Sequence, residues 1–240
     1  MVHALIFAGG TGRRMNPNGI PKQFLKVYGR PIIALTLEIF ENSSKIDNII
    51  VVCVEKYLDK MRKIVEEYKF TKVKNIIPGG ETGQRSIWFG LERLYNIRSS
   101  DEDIVLIHDG VRPIIDEDLI LRLIESVQKY ASAISTVKAY ETLCITEGND
   151  EIKEIIPRNK CLLAKAPQGF FLNQIYNAHV WANNNKITDA IDSADLYSRL
   201  GKKLHAVESD YTNIKITYPV DYYILKGILD SQESSQIIGI

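Results

Sequence analysis

The chain has 240 residues, of which 45% are hydrophobic, which is enough to bury the core of one sizeable α/β domain. Thirty lysine and arginine residues balance thirty aspartate and glutamate residues, and this neutrality excludes a general attraction to nucleic acid or anionic lipid. There is no apolar run of membrane-spanning length and no leader-like N-terminus, so we expect a soluble, cytoplasmic protein without membrane partners. Three widely spaced cysteines without a CxxC pair predict neither a disulfide framework nor a zinc site.

Apolar runs alternate with amphipathic segments through the first half of the chain. The runs at 4–8, 48–54, 73–77 and 104–108 are typical of strands buried on both faces. Helical stripes lie at 57–68 and 120–127, and Asp116 is a candidate N-cap for the second of these helices. This order predicts an α/β fold with a mostly parallel, twisted sheet and helices on both faces.

Shorter strand-like runs follow residue 131, at 134–138, 143–146, 152–156 and 161–165, with a turn at 147–150. We expect them to form a projecting β-arm within about 134–166. Helices are predicted at about 172–183 and 189–200, strands near 204–207 and 214–217, and a last helix from Pro219. With no internal repeat or linker, we expect one domain over 1–230 and a tail at 231–240.

The most informative segment is AGGTGRRMNPNGIPKQF, residues 8–24, directly after the first predicted strand. Three glycines let the backbone approach a bound phosphate or base, and three cations follow them. These residues are Gly9, Gly10, Gly12, Arg13, Arg14 and Lys22. The segment lacks the GxxxxGK[ST] pattern of a P-loop.

A dinucleotide-binding loop is a second alternative for this segment. It requires a third glycine where the chain has Met15, and a helix that starts at once to hold the pyrophosphate. Pro17, Gly19 and Pro21 interrupt any such helix. An NAD-dependent oxidoreductase is therefore disfavoured.

The segment IHDGVRP, residues 107–113, ends another apolar strand, where ligands of open α/β sheets gather. Asp109 can bind a ribose, an acceptor alcohol or a metal-bound phosphate, and Arg112 can bind the acceptor phosphate. His108 is either a packed imidazole that steadies the loop or a catalytic group. A metal-dependent phosphohydrolase would need further ligands, and the other three histidines stand in no ligand pattern.

The 8–24 segment resembles the nucleotide loop of the cytidylyltransferases that act on 2-C-methylerythritol 4-phosphate and on ribitol 5-phosphate. That loop reads close to GGxGxRM followed by PKQ[FY]L, and the resemblance continues along almost the whole chain with motifs in the same order. It implies a Rossmann-like nucleotidyltransferase fold that takes CTP and a small phosphorylated alcohol as substrates. It also implies a homodimer in which the β-arm of one subunit completes the partner's site.

The resemblance assigns roles to individual residues. The side chains that neutralise phosphate charge during catalysis are Arg14, Lys22 and Lys215. The nucleotide contacts Ala8, Gly9, Gly10, Gly12, Gly80, Glu81, Ser86 and Asp109. The acceptor contacts Asp109, Arg112, Thr142, Arg158 and Lys165, and Thr142 and Arg158 come from the partner.

The chain departs from the family pattern at several positions. The family often has arginine where this chain has Gly83, and here an arginine stands two residues later, at Arg85. The family's QTPQ or LTPQ is replaced by Lys165-Ala166-Pro167-Gln168, so that Lys165 faces either the acceptor or solvent. Ile191 stands where Thr-Asp is common, and the following Asp192 receives no role.

The implied reaction is in-line attack by an acceptor phosphate oxygen on the α-phosphorus of CTP, which expels pyrophosphate. Because this oxygen is already ionised, the reaction needs positioning and charge neutralisation and no general base. Mg²⁺ is expected, held largely by triphosphate oxygens and water. AGGTG and PKQF are closer to the polyol-phosphate branch, which favours ribitol 5-phosphate as acceptor, with methylerythritol phosphate as the alternative. A non-catalytic nucleotide-binding protein remains a third class.

Overall fold

The computed structural model describes residues 1–9, 19–148 and 150–238, with side chains as far as residue 233. Within these ranges the strands are β1 (Val2–Ala8), β2 (Lys26–Val27), β3 (Arg30–Pro31), β4 (Asn48–Cys53), β5 (Val73–Pro78), β6 (Ile104–Asp109), β7 (Ser132–Lys138), β8 (Leu143–Thr146), β9 (Ile152–Ile156), β10 (Leu162–Phe171) and β11 (Ala206–Glu208). Seven of these described strands form the main sheet, in the order β11-β7-β10-β6-β1-β4-β5. Strand β10 runs antiparallel to both of its neighbours, and the remaining pairs are parallel. The predicted mostly parallel sheet is confirmed.

The described helices are α1 (Ile32–Asn42), α2 (Leu58–Glu67), α3 (Gly83–Tyr95), α4 (Glu117–Tyr130), α5 (Leu172–Asn184), α6 (Ser193–Arg199) and α7 (Pro219–Ile238). They cover both faces of the sheet. Ala4 and Ile6 of β1 pack with the core under α1, α2 and α4, whereas Leu5 packs with the core under α3, α5 and α6. None of the helices in the described part of the chain has the length and apolar character that a bilayer crossing requires.

Helix starts follow local capping chemistry. Asp116 is the N-cap of α4 and accepts a hydrogen bond from Leu119 N at 2.8 Å, as predicted. Asp192 caps α6 in the same way, accepting from Asp195 N at 2.8 Å. The helix predicted from residue 189 therefore begins at residue 193, because the capping residue itself is extended.

The structure differs from the predicted strand near the C-terminus and extends the last helix. Residues 214–217 do not form a strand; they cross the sheet edge as a loop, tied to it by a hydrogen bond from Ile216 N to Val111 O at 3.0 Å. In the segment 231–240, predicted as a tail, α7 continues as far as Ile238. The predicted helix start at Pro219 is confirmed.

The predicted β-arm is shorter than the sequence pattern indicated. Strands β7 and β10 pair with each other inside the main sheet, with Leu162 opposite Lys138. Only β8 and β9, of the described strands in this region, form a separate two-stranded sheet. The β-arm is therefore the β8–β9 hairpin, and it exposes Ile145, Ile152 and Ile155.

Candidate active site

Sheet topology brings several predicted site residues to one edge. The parallel strands β1, β5 and β6 end there at Ala8, Pro78 and Asp109. Because β10 is antiparallel, its first half lies at the same edge and carries Lys165. This is the edge where open α/β sheets bind ligands.

Asp109 is the centre of a buried ionic cluster at this edge. Its Oδ1 lies 2.7 Å from Lys215 Nζ and its Oδ2 accepts from Arg112 Nε at 2.8 Å. Arg112 also donates from Nη1 to the carbonyl oxygen of Asn213 at 3.0 Å. The cluster therefore joins the end of β6 to the 213–217 loop.

The cluster has a defined protonation state. Burial alone would raise the pKa of Asp109, but the charges of Lys215 and Arg112 outweigh burial and lower it. Burial lowers the pKa of His108 to about 4, and its Nε2 lies 3.0 Å from the Arg112 carbonyl oxygen. His108 is thus a neutral, packed imidazole that steadies the loop, the first of its two alternatives.

A cavity of about 370 Å³ opens beside the ionic cluster. Asp109, Arg112, Lys165 and Lys215 all line it. Lys165 therefore lines this cavity with part of its side chain, beside Arg112. Burial, with a smaller contribution from the Arg112 charge, lowers the pKa of Lys165.

A second part of the cavity lining is polar without being cationic. It consists of Gln84, Gln168, His179, Asp192 and Ser193. Gln168 Nε2 donates to Asp192 Oδ2 at 2.7 Å, and His179 Nε2 lies 3.2 Å from Ser193 Oγ. Burial lowers the pKa of His179 to about 4, so this imidazole is neutral at pH 7.

A glycine cluster surrounds Ser86 beside the cavity. A Cβ on Gly9 would lie 3.1 Å from Ser86 Oγ, and one on Gly79 would lie 2.8 Å from it. Gly80 N donates to Ser86 Oγ at 3.1 Å, and that hydroxyl donates to Thr82 O at 2.9 Å. Glycine is required here because the ends of β1 and β5 approach this buried serine closely.

The PKQF motif is hydrogen-bonded to the end of β1. Lys22 and Gln23 are buried in a 3-10 turn, Lys22–Phe24, and Gln23 Nε2 donates to Ala8 O at 2.8 Å. Four predicted residues of the glycine-rich loop, Gly10, Gly12, Arg13 and Arg14, lie outside the described residues.

The remaining predicted residues do not line the cavity of their own chain. Thr142 and Glu81 are exposed. Arg158 is also exposed, and it donates to Tyr140 O at 3.1 Å. Arg85 is not among the cavity-lining residues, and its guanidinium carbon lies 4.9 Å from the centre of the Phe89 ring.

Sequence reasoning missed several polar residues of the site. Gln168 and Asp192 lie in the cavity lining, and Asn213 is buried behind it, donating to Ala166 O at 2.7 Å. Gln168 bonds Asp192 and Asn213 bonds Ala166, and each of these pairs is more than twenty residues apart in sequence. Only the folded sheet edge brings these partners together.

Comparison with known proteins agrees with this geometry. Residues 2–231 match the model of a protein family described as IspD: 2-C-methyl-D-erythritol 4-phosphate cytidylyltransferase. The chain belongs to the IspD family. The suspected family resemblance is confirmed, and the chain is a nucleotidyltransferase of the cytidylyltransferase type.

Members of the IspD family with different printed names are similar to this chain. A ribitol-5-phosphate cytidylyltransferase of Streptococcus agalactiae is 47% identical over 98% of both chains. A 2-C-methyl-D-erythritol 4-phosphate cytidylyltransferase of Clostridium acetobutylicum is 37% identical, over 94% of this chain and 96% of its own. The crystal structure of 4-diphosphocytidyl-2C-methyl-D-erythritol synthase from Anaerococcus prevotii superimposes with a TM-score of 0.81 at 27% identity, covering 95% of this chain and 96% of that chain. The Rossmann-like IspD fold is therefore confirmed.

Proposed function

We propose that this protein transfers a cytidylyl group from CTP to ribitol 5-phosphate, forming a CDP-polyol and pyrophosphate. The observation that carries the proposal is the cavity at the sheet edge, where a chain without net charge gathers Arg112, Lys165 and Lys215. Three cations around one ionised carboxylate suit a site that holds more than one phosphate group.

The relatives support the choice of acceptor. Identity to the ribitol-named enzyme of Streptococcus agalactiae, 47%, exceeds the 37% identity to the methylerythritol-named enzyme of Clostridium acetobutylicum. The AGGTG and PKQF motifs of this chain favour the same branch. Ala166 and Ile191 of the cavity lining stand where the family usually has threonine, so this lining differs from the usual family pattern.

In the proposed reaction, an ionised phosphate oxygen of the acceptor attacks the α-phosphorus of CTP. The bond from this oxygen to the α-phosphorus forms while the bond from the α-phosphorus to the bridging oxygen of the β-phosphate breaks, and pyrophosphate leaves. Lys215, Lys22 and Arg14 neutralise the charge on the phosphates during transfer. The low pKa of Asp109 fits a role in holding Lys215 and Arg112, and no residue has to act as a general base.

The nucleotide is proposed to bind beside the glycine cluster. Backbone groups at Gly9 and Gly80 lie around Ser86, next to the cation-lined cavity. The neighbouring Ala8, Gly10, Gly12, Glu81 and Asp109 complete the proposed contacts with CTP. A pocket framed by closely packed backbone favours the small cytosine ring over a purine.

Mg²⁺ is proposed as the cofactor, supplying positive charge to the triphosphate when bound. Among the described residues, no group of three or more His, Cys, Asp and Glu side chains could hold the ion alone. The ion is proposed to be held mainly by triphosphate oxygens and water. Asp109 is the cavity carboxylate nearest the cations that would contact the phosphates.

A homodimer is proposed because the arm exposes apolar side chains that a partner subunit could cover. The β8–β9 hairpin exposes Ile145, Ile152 and Ile155 to 42%, 56% and 63%, and burying these side chains against a partner is favourable. Thr142 and Arg158 at the base of this hairpin would then contact the acceptor in the partner's cavity. We place the reaction in the cytoplasm, as the sequence led us to expect.

The test is pyrophosphate release with each of CTP, ATP, GTP and UTP against a panel of acceptors. CTP with ribitol 5-phosphate should give the highest kcat/KM, well above CTP with 2-C-methylerythritol 4-phosphate. Comparable turnover with UTP or ATP would remove the cytidylyl assignment. Preference for methylerythritol phosphate would retain the family and overturn the proposed acceptor.

A further inference from the structure

The cavity contains hydrogen-bond acceptors that the phosphate chemistry does not use. Gln84 comes from the first turn of α3, and Asp192 immediately precedes α6. Both residues line the same cavity as Arg112, Lys165 and Lys215. An acceptor molecule whose phosphate lies on these cations therefore shares the cavity with Gln84 and Asp192.

The orientation of the Gln84 amide is fixed by one hydrogen bond. Its Nε2 donates to Ile187 O at 2.8 Å, and exchanging the two amide atoms would place oxygen against oxygen. Its Oε1 is buried and has no hydrogen-bond partner among the described residues. A buried acceptor without a donor is unfavourable, so a ligand hydroxyl that reached this oxygen would gain a hydrogen bond.

Two hydrogen bonds fix the orientation of the Asp192 carboxylate. Its Oδ1 accepts from Asp195 N at 2.8 Å and its Oδ2 accepts from Gln168 Nε2 at 2.7 Å. Gln168 is itself oriented, because its Oε1 accepts from Ala194 N at 3.2 Å. A carboxylate has about four lone-pair sites, so Asp192 keeps acceptor capacity in a rigid position.

Two further polar residues of this lining, His179 and Ser193, contact each other. His179 Nε2 lies 3.2 Å from Ser193 Oγ, and both side chains are buried. The capacity left for a ligand at Gln84 and Asp192 is thus for accepting hydrogen bonds. A chain of hydroxyl groups supplies the donors, whereas a second phosphate would be repelled by the carboxylate.

We infer that Gln84 and Asp192 bind hydroxyl groups of the acceptor chain and so select a polyol phosphate by its length. This inference rests on the proposed function, since it assigns the rest of the acceptor whose phosphate the cations bind. The two residues are specificity-determining residues and take no part in the chemistry at the α-phosphorus. Ala166 and Ile191 replace threonines of the family and offer no side-chain hydroxyl. Recognition of the substrate's hydroxyl groups is therefore left to the side-chain oxygens of Gln84 and Asp192.

The experiment compares kcat/KM for ribitol 5-phosphate, erythritol 4-phosphate and glycerol 3-phosphate at saturating CTP. The variants are Asp192→Asn, which keeps an oxygen to cap α6, and Gln84→Met, which keeps the side-chain length. Asp189→Asn is the matched control, because Asp189 lies in the same loop, is exposed and pairs with Arg199 at 2.8 Å.

The wild-type enzyme should prefer ribitol 5-phosphate to glycerol 3-phosphate. Each of the two variants should lose about tenfold or more with ribitol 5-phosphate, as expected for a lost hydrogen bond to a fixed acceptor. The rate with glycerol 3-phosphate and the KM for CTP should stay within about twofold of wild type. The ratio of the two acceptors therefore falls, which a general loss of folding or of phosphate binding cannot produce.

Equal losses with all three acceptors, or an unchanged ratio in both variants, would overturn the inference while leaving the proposed function intact. If Asp192→Asn lowers the melting temperature, Gln84→Met decides, because Gln84 caps no helix. Failure of the wild-type enzyme with every polyol phosphate would instead refute the proposed function, and this inference with it. A wild-type preference for glycerol 3-phosphate would refute the length selection alone.

Discussion

The ionic cluster at the end of β6 and the β8–β9 arm both carry residues that the family resemblance assigns to the acceptor. In the cluster, the side chains of Arg112 and Asp109 are only 10% and 8% exposed and hold each other at 2.8 Å. In the arm region, Thr142 and Arg158 are exposed, and the guanidinium of Arg158 bonds a backbone carbonyl. One region is complete within a single chain, whereas the other presents its polar groups to solvent.

The two regions are suited to different contributions to catalysis. A charge held by an ion pair to a buried carboxylate, as Lys215 is held by Asp109, needs little reorganisation when phosphate charge develops next to it. An exposed arginine is screened by water and contributes little until a partner surface excludes that water. The cluster should therefore control the chemical step, and the arm should act only across an interface.

The largest effect is expected from the cluster. Lys215→Ala should lower kcat by about two to three orders of magnitude, because it removes a preorganised charge beside the reacting phosphates. Asp109 keeps its Arg112 partner in this variant, so the fold should be retained. The measurement is steady-state pyrophosphate release together with thermal melting.

Lys202→Ala is the matched control for this change, since Lys202 is exposed and lies outside the cavity lining. It should leave kcat within about twofold of wild type. A Lys215→Ala enzyme that melts normally and retains more than about a fifth of the wild-type kcat would contradict the preorganised role.

The sequence predicted the sheet and the cluster better than the polar network. The strand ends before Gly9 and at Asp109 follow from apolar runs, and parallel strands place such ends at one edge. The segment around Lys215 was predicted as a strand and is a loop, yet Lys215 still reaches Asp109. Its position depends on Ile216, which is fully buried and bonded to Val111.

Neither the hydrogen-bond partners of Gln168 nor the position of Asp192 in the cavity lining could be predicted from the local sequence pattern. Gln168 meets Asp192 across 24 positions, because β10 and the start of α6 converge at the cavity. The start of α6 was misplaced since a capping aspartate is polar and extended, whereas helical periodicity is set by the apolar residues that follow. The predicted β-arm is longer than the observed β8–β9 hairpin, because β7 and β10 have the same strand pattern as the hairpin between them.

A smaller effect is expected from the arm, and it should depend on subunit pairing. In the proposed dimer, each site takes Lys215 from one subunit and Arg158 from the other. A dimer of one Lys215→Ala subunit and one Arg158→Ala subunit therefore has one site with both substitutions and one site with neither. Random pairing of equal amounts should therefore restore about a quarter of all sites to wild type. The measurement is activity after refolding the two weakened variants together from denaturant.

Refolding each variant alone provides the control for this restoration, since neither alone can form an unmodified site. Activity of the mixture equal to the mean of the two separate variants would show that Arg158 acts within its own chain or not at all. Size-exclusion chromatography of the wild-type protein should give the mass of a dimer.

The smallest effect is expected from Lys165, which lies between the two regions on β10. Lys165→Ala should raise the acceptor KM about tenfold and leave the CTP KM nearly unchanged, because Lys165 lines the cavity beside Arg112 and lies apart from the glycine cluster. Since burial and the Arg112 charge lower the pKa of Lys165, kcat/KM for the acceptor should fall at a lower pH than an ordinary lysine would allow, as the side chain loses its proton. This alkaline limb should vanish in Lys165→Ala and move to higher pH in Lys165→Arg, whereas the exposed Lys160→Ala should keep the wild-type profile. An acceptor KM and an alkaline limb that are both unchanged in Lys165→Ala would remove Lys165 from the site and leave acceptor binding to Arg112 and the arm.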